Sequence, residues 1–238
     1  MIQLLKFQLR NLYKQLFVYV CAILSLSTLI LSLHLPSYII NIRKVLADED
    51  LQYFFTSEIK LIGIGLTGFI FICLFMCLDS SNCITKNIIS RGFSRISLFF
   101  SKFIVVTAFS IMLILAQVFI IVTYLNLQDP NLWSNLLKII ICVIPEICLY
   151  IFISTLANKN GLSIAFCIII DSITSLVLAV IDCIICLIRN KQITSIVSKY
   201  WVSSLSKLDT TPQILLSLGY TVLFIALSVI IVSKREVK

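Results

Sequence analysis

The sequence predicts an all-α integral membrane protein, with six transmembrane helices preceded by an amphipathic N-terminal interfacial helix. Three observations predict it. Hydrophobic residues make up 60% of the 238 and charged ones 13%, against roughly 45–50% and 25% in soluble domains, so lipid is the expected solvent for most of the chain. Apolar runs long enough to cross a hydrocarbon core of about 30 Å recur at 16–35, 61–78, 103–127, 139–157, 162–188 and 214–232. These runs are continuous, unlike the alternating strands of about ten residues that build barrels. Helices are then the expected solution, because each run must satisfy its own backbone groups. The length suits one transmembrane domain, 1–238, with no soluble catalytic module.

The opening segment has two faces. Ile2, Leu5, Leu9, Leu12 and Leu16 recur at three- and four-residue steps, and Lys6, Arg10 and Lys14 step by four on another face, roughly 130° away. A helix of this kind lies in the membrane interface with its cations toward anionic headgroups. The same charges also serve as a plain topogenic flank. The run after it, 16–35, is too long for the core of a signal peptide and has no small-x-small site behind it, so a retained first span is expected.

An even number of spans puts both termini on one side, and the Lys/Arg distribution selects the cytoplasm. With that choice eleven of the nineteen cations fall inside and eight outside. The expected location is the cell membrane, multi-pass. The nine cysteines agree, since eight lie in spans and Cys83 in a cytoplasmic loop. Buried thiols acting as small hydrophobes are the expectation. Cys183-x-x-Cys186 has no second pair or nearby His and predicts no zinc site.

The connections carry more information. The segment 36–60 holds the acidic cluster Asp48-Glu49-Asp50, and 189–213 holds Tyr200-Trp201. Both are long enough for short external or re-entrant helices, and the aromatic pair suits a membrane–water boundary. A tight turn at 158–161 makes the fourth and fifth spans an antiparallel hairpin. Between the second and third spans, Ile89, Phe93, Ile96 and Phe100 share one helical face, and Arg91 and Arg95 form a cationic stripe beside it. Gly92 weakens that helix by about 1 kcal/mol and invites a bend. A short, basic, amphipathic cytoplasmic element tied to two spans suits docking of a soluble partner. Positive-inside charge alone is the competing reading.

The run 87–105 resembles the cytoplasmic loop of type-2 ATP-binding-cassette exporter permeases. That family carries a Gly-x-Ser-Arg element before a Ser/Gly-Lys at the mouth of the third span, matched here by Gly92, Ser94, Arg95, Ser101 and Lys102. The resemblance covers about twenty residues in motif and the full length in architecture. It implies a permease subunit, pairing with itself or a sibling and working with separate ATP-hydrolysing subunits. Ile89, Ser90, Arg91, Gly92, Phe93, Ser94, Arg95 and Lys102 would form the coupling loop. Small members of the family often export antimicrobial peptides or drugs, and an amphipathic compound of this sort is the implied cargo.

Several chemistries are not expected. Gly63-x-Gly65-x-x-Gly68 has the letters of a dinucleotide fingerprint but lies inside an apolar span, where small residues let helices approach. No phosphate-binding loop occurs, so the chain is not expected to be an enzyme or to hold a cofactor, and ATP belongs to another subunit. The one histidine, His34, suits an interfacial side chain better than a metal or a Ser–His dyad. Nucleic acid is not an expected partner.

Glu146, Asp171 and Asp182 interrupt the fourth and fifth spans. Ionised carboxylates avoid lipid, so they should face a wet pathway, the bundle interior or a dimer interface. Pro145 kinks the helix beside Glu146. A translocation pathway and simple interhelical glue fit these acids equally well. For the whole chain, the rival to an ATP-driven exporter is a membrane protein working without ATP, such as an ion-coupled carrier, a channel or a structural subunit of an envelope complex.

Overall fold

The computed structural model describes residues 2–33, 66–81, 84–125, 132–157, 159–188, 197–208 and 210–234. They form eight α-helices: α1 (Ile2–Lys14), α2 (Leu16–Leu33), α3 (Leu66–Ser81), α4 (Ile84–Ser90), α5 (Arg95–Leu125), α6 (Leu132–Ala157), α7 (Asn160–Ile188) and α8 (Thr210–Lys234). Two 3-10 helices, Ser198–Tyr200 and Val202–Lys207, lie between α7 and α8. No strand occurs among the described residues. Four helical stretches are long and apolar enough to cross a membrane: Arg95–Tyr124, Leu136–Ala157, Asn160–Ile188 and Thr211–Lys234. A fifth is the bent pair α1–α2 if it is counted as one span. The apolar part of α3, Gly68–Leu78, is shorter than a crossing. Residues 61–65 of the expected second span, with Gly63 and Gly65, lie outside the described residues, as do His34, Cys83 and the acidic cluster at 48–50.

Two helices outrun the apolar segments that predict them. α5 begins at Arg95 rather than 103, and α6 at Leu132 rather than 139. Hydropathy marks where side chains stop preferring lipid, whereas a helical backbone continues until something breaks it.

α3 is the post of the bundle. Phe71, Ile72 and Cys73 have no exposed surface, and Phe75 and Cys77 are equally enclosed. Phe71 stacks on Phe75 and meets Phe109 of α5 at 4.6 Å and Phe17 of α2 at 6.4 Å between centroids. An apolar helix without a polar face belongs in such a place. Around it, contacts define direction. Phe17 and Phe109 meet the same ring, and eight residues further along each helix Gln117 donates to Ser25, so α2 and α5 are parallel. Phe69 meets Tyr150, and Cys77 meets Ser154, so α3 runs parallel to α6. Gln213 and Ser217 bond to α6 at Cys142 and Ile141, while Phe224 stacks on Phe152, so α8 is parallel to α6 too. α7 returns antiparallel through Ser163 on Ser154. Lys102 reaches Met76 while Phe109, seven residues on, meets Phe71, so α5 runs against α3, and successive long helices alternate in direction.

These polar contacts recur between neighbours because lipid tails offer no hydrophobic drive for helix association. Packing and interhelical hydrogen bonds, about 0.6–2 kcal/mol each, supply it instead.

α1 meets α2 at a 66° bend around Gln15. Leu4, Gln8 and Leu12 are its buried face, one residue in four turned toward α5. Leu4 clusters with Ile88 of α4 and Leu98 of α5. Ile2, Leu9, Tyr13 and Leu16 remain exposed, and so do Lys6, Arg10 and Lys14.

Candidate functional site

The basic connection between α3 and α5 is two helices joined by a tight turn. It is not the single amphipathic helix implied by Ile89, Phe93, Ile96 and Phe100 sharing a face. Gly92 breaks it, with φ at +88°. The Gly92 amide donates to the Ile89 carbonyl at 2.9 Å and Arg91 to Ile88 at 3.2 Å, the closure of a glycine-terminated helix. A side chain at position 92 would meet nothing within 4 Å, so conformation rather than space selects glycine there. Ser94 then starts α5. Its carbonyl accepts Leu98 N–H and its Oγ accepts Ser97 N–H, both at 3.1 Å, which makes it an N-cap.

The turn is seated from beneath. Ile88 and Leu98 bury against Leu4 of α1, with Phe93 packed on the same cluster. Outward, Ser90, Arg91, Gly92, Ser94 and Ile96 are exposed, while Ile89 and Arg95 are half-buried. A compact basic surface with apolar Ile89 and Ile96 at its edges thus faces away from the helices.

Lys102 does not belong to that surface. It is buried, and its Nζ donates to the Met76 carbonyl at 2.9 Å, near the C-terminal end of α3. A cation there is favoured by the carbonyl end of the helix dipole. Lys102 thus ties the start of α5 to α3 beneath the loop. A lysine beside an apolar run normally reaches water, which is why its position in the sequence groups Lys102 with the exposed loop.

The three acids separate. Glu146 is buried, eleven residues before the end of α6 at Ala157. Asp171 lies eleven residues after the start of α7 at Asn160. The two therefore stand at one level of the hairpin, each about 16 Å from its turn at 1.5 Å per residue. The side chain of Asp171 lies outside the described residues. Asp182 has a different partner. Its carboxylate accepts Val197 N–H at 2.6 Å and Ser198 N–H at 3.2 Å, fastening the start of the first 3-10 helix to α7. From there the chain folds back along α8. Val202 is fully enclosed with Cys148 and Phe224, Trp201 packs edge-on to Tyr220, and Tyr220 Oη donates to the Tyr200 carbonyl at 3.1 Å.

Beside Glu146, Pro145 removes the N–H that would have paired with the carbonyl four residues earlier, that of Ile141. Ser217 of α8 donates its hydroxyl to that carbonyl. One turn away Gln213 donates to Cys142 Sγ at 2.6 Å. α8 thus repairs the break that proline makes in α6. Pro145 was a visible signal for an orphaned carbonyl at Ile141, but nothing along the chain names the serine that answers it.

No protein-family model matches the chain, and no curated protein or solved structure gives a match.

Proposed function

We propose that the chain is the membrane-spanning permease subunit of an ATP-driven exporter in the cell membrane, working as a dimer or with a sibling permease and coupled to a separate ATPase. One observation carries this reading: the basic turn at 90–96 is exposed outward and anchored inward at three places. Leu4 seats it on α1, Lys102 ties its following helix to α3, and Ser94 and Gly92 fix its geometry. An element held this way transmits a push from a docked partner into several helices at once. A charge that only sets topology needs no such anchoring.

The alternating helix directions support six crossings with both termini on the cytoplasmic side, α3 completing the sixth. α1 supports an interfacial placement. With its Leu4–Gln8–Leu12 face on α5, its exposed apolar residues point one way and Lys6, Arg10 and Lys14 point away from the protein, at headgroup level. Glu146 and Asp171, level with one another beside a proline, are the candidate pathway residues. An antimicrobial peptide, drug or other amphipathic compound is the cargo class this reading favours.

The test is Arg91→Ala with Arg95→Ala in the complex with an ATP-binding-cassette ATPase that copurifies with the chain. The variant should insert normally yet lose ATPase docking or uncouple hydrolysis from export. The isolated chain should hydrolyse no ATP. Unchanged export by the double variant removes the coupling role.

A further inference from the structure

We propose that Cys73 of α3 and Cys167 of α7 are an oxidant-sensitive dithiol that forms a reversible disulfide between the two helices. The sulfurs lie 3.3 Å apart, and both residues are fully buried. A disulfide bond is about 2.05 Å long, so the two atoms have only about 1.3 Å left to close. The residues are 94 apart in sequence, and the fold alone has brought them together.

The surroundings bring hydroxyl groups to the pair. Ser154 Oγ lies 3.4 Å from Cys73 Sγ and 2.7 Å from the Tyr150 carbonyl, and it accepts from Ser163 Oγ at 3.0 Å. With its one hydrogen, Ser154 has two acceptors to choose from. Turning from the carbonyl to the sulfur, its hydroxyl donates to Cys73 Sγ. Cys148, by contrast, sits among Val202 and Phe224, and Cys142 takes the Gln213 amide. Ser163 stands three residues inside α7, about 5 Å from its start. Ser163 and Ser154 thus place two hydroxyls between the hairpin turn and the thiols, and the oxidant that reaches this buried pair has to be small and neutral, such as hydrogen peroxide.

The steps balance. The Cys73 sulfur attacks one peroxide oxygen; the O–O bond breaks, and the departing hydroxide takes the Cys73 proton and leaves as water. Cys73 is then a sulfenic acid. The Cys167 sulfur attacks it, the S–S bond forms, the S–O bond breaks, and a second water leaves with the Cys167 proton. Two thiols lose two electrons, and one peroxide gains them. A dithiol reductant reverses the bond by exchange.

The experiment uses the full chain in lipid. It is treated with hydrogen peroxide, its remaining thiols are blocked by alkylation, and its peptides are read by mass spectrometry. The expected result is a Cys73–Cys167 linked pair, lost on treatment with dithiothreitol. It should form about tenfold faster than oxidation at Cys21, Cys142 or Cys148. Ser154→Ala should slow its formation while the fold, checked by circular dichroism, is kept. Recovery of both cysteines as free thiols, as separate sulfinic acids, or linked to other cysteines would overturn the proposal. The wild-type chain alone decides the matter, so a variant that misfolds leaves the answer intact.

Discussion

α6 and α7 are joined by one short turn, are similar in length and are equally apolar, yet 56% of the apolar window of α6 is buried against 6% for α7. The difference lies in what each helix offers its neighbours. α6 touches α3, α5, α7 and α8, and its buried residues reach well round the helix, from Cys142 and Ile153 through Glu146, Ile139 and Ile147 to Thr155 and Cys148. α7 buries only Ser163, Cys167, Asp182 and Cys186 among its described side chains. None of these is aliphatic. Most of its leucines, isoleucines and valines are exposed, and Ile164 and Ile170 pack on the core only from its edge. In a soluble protein the aliphatic face would be the core and the Ser–Cys–Asp stripe the surface. With lipid as solvent the preference inverts, because small and polar groups are what let helices approach and bond.

The largest expected effect follows directly. Ile147→Ala or Ile151→Ala should cost about 2–5 kcal/mol, as buried large-to-small changes do. Leu176→Ala or Ile184→Ala on α7 should cost under about 0.5 kcal/mol. Thermal unfolding in lipid nanodiscs measures both. If the α7 substitutions prove as costly as those in α6, the comparison fails in an informative way: another copy then covers α7 in the assembled protein.

Asp182 sharpens the comparison, since its carboxylate fastens α7 to the 3-10 segment by two hydrogen bonds. Hydrogen bonds to a charged group are worth about 1.5–3 kcal/mol each, and Asp182 accepts two. Asp182→Ala should release the 198–207 segment without unfolding the bundle. A cysteine placed at Ser198 in a cysteine-free background should then react with an aqueous maleimide much faster than with Asp182 intact. Equal rates would show that Tyr220 and Phe224 hold the segment without help from α7.

How much of this was legible along the chain varies with the kind of fact. The long apolar helices were, because each is a run of side chains. Helix ends were not, since Arg95–Lys102 and the first two turns of α6 are helical without being uniformly apolar. The loop residues were visible as a basic cluster, but the turn that breaks it depends on one glycine whose left-handed conformation a helical pattern conceals. Neighbour relations were legible only for the α6–α7 hairpin, where a short turn leaves no choice. Lys102 on Met76, Asp182 on Val197 and Ser217 on Ile141 all join distant segments, so composition shows a polar residue in a span and not its partner.

The level pair on the hairpin gives a smaller and functional contrast. Glu146→Gln and Asp171→Asn keep size and hydrogen bonding while removing charge. On the pathway reading each lowers export by about tenfold, the equivalent of about 1.4 kcal/mol, with assembly unchanged. Vesicle export assays with normalised protein measure it. Normal export by both, together with lost assembly in Glu146→Leu and Asp171→Leu, would make the acids structural.

The smallest expected effect isolates why α6 needs α8. Pro145 leaves the Ile141 carbonyl without its helical donor, and Ser217 supplies one from across the interface. Ser217→Ala should therefore cost about 0.6–1.7 kcal/mol, the range of interhelical hydrogen bonds in a membrane. Pro145→Ala restores an N–H at position 145, which can close the α6 ladder onto Ile141. In that background Ser217→Ala should cost close to nothing. The double-mutant cycle thus predicts a coupling nearly equal to the single Ser217→Ala loss, with the sign fixed by the proline. Zero coupling would mean that Ser217 bonds to α6 for reasons independent of Pro145. The repair would then be a coincidence of packing, and the burial of α6 would rest on its aliphatic contacts alone.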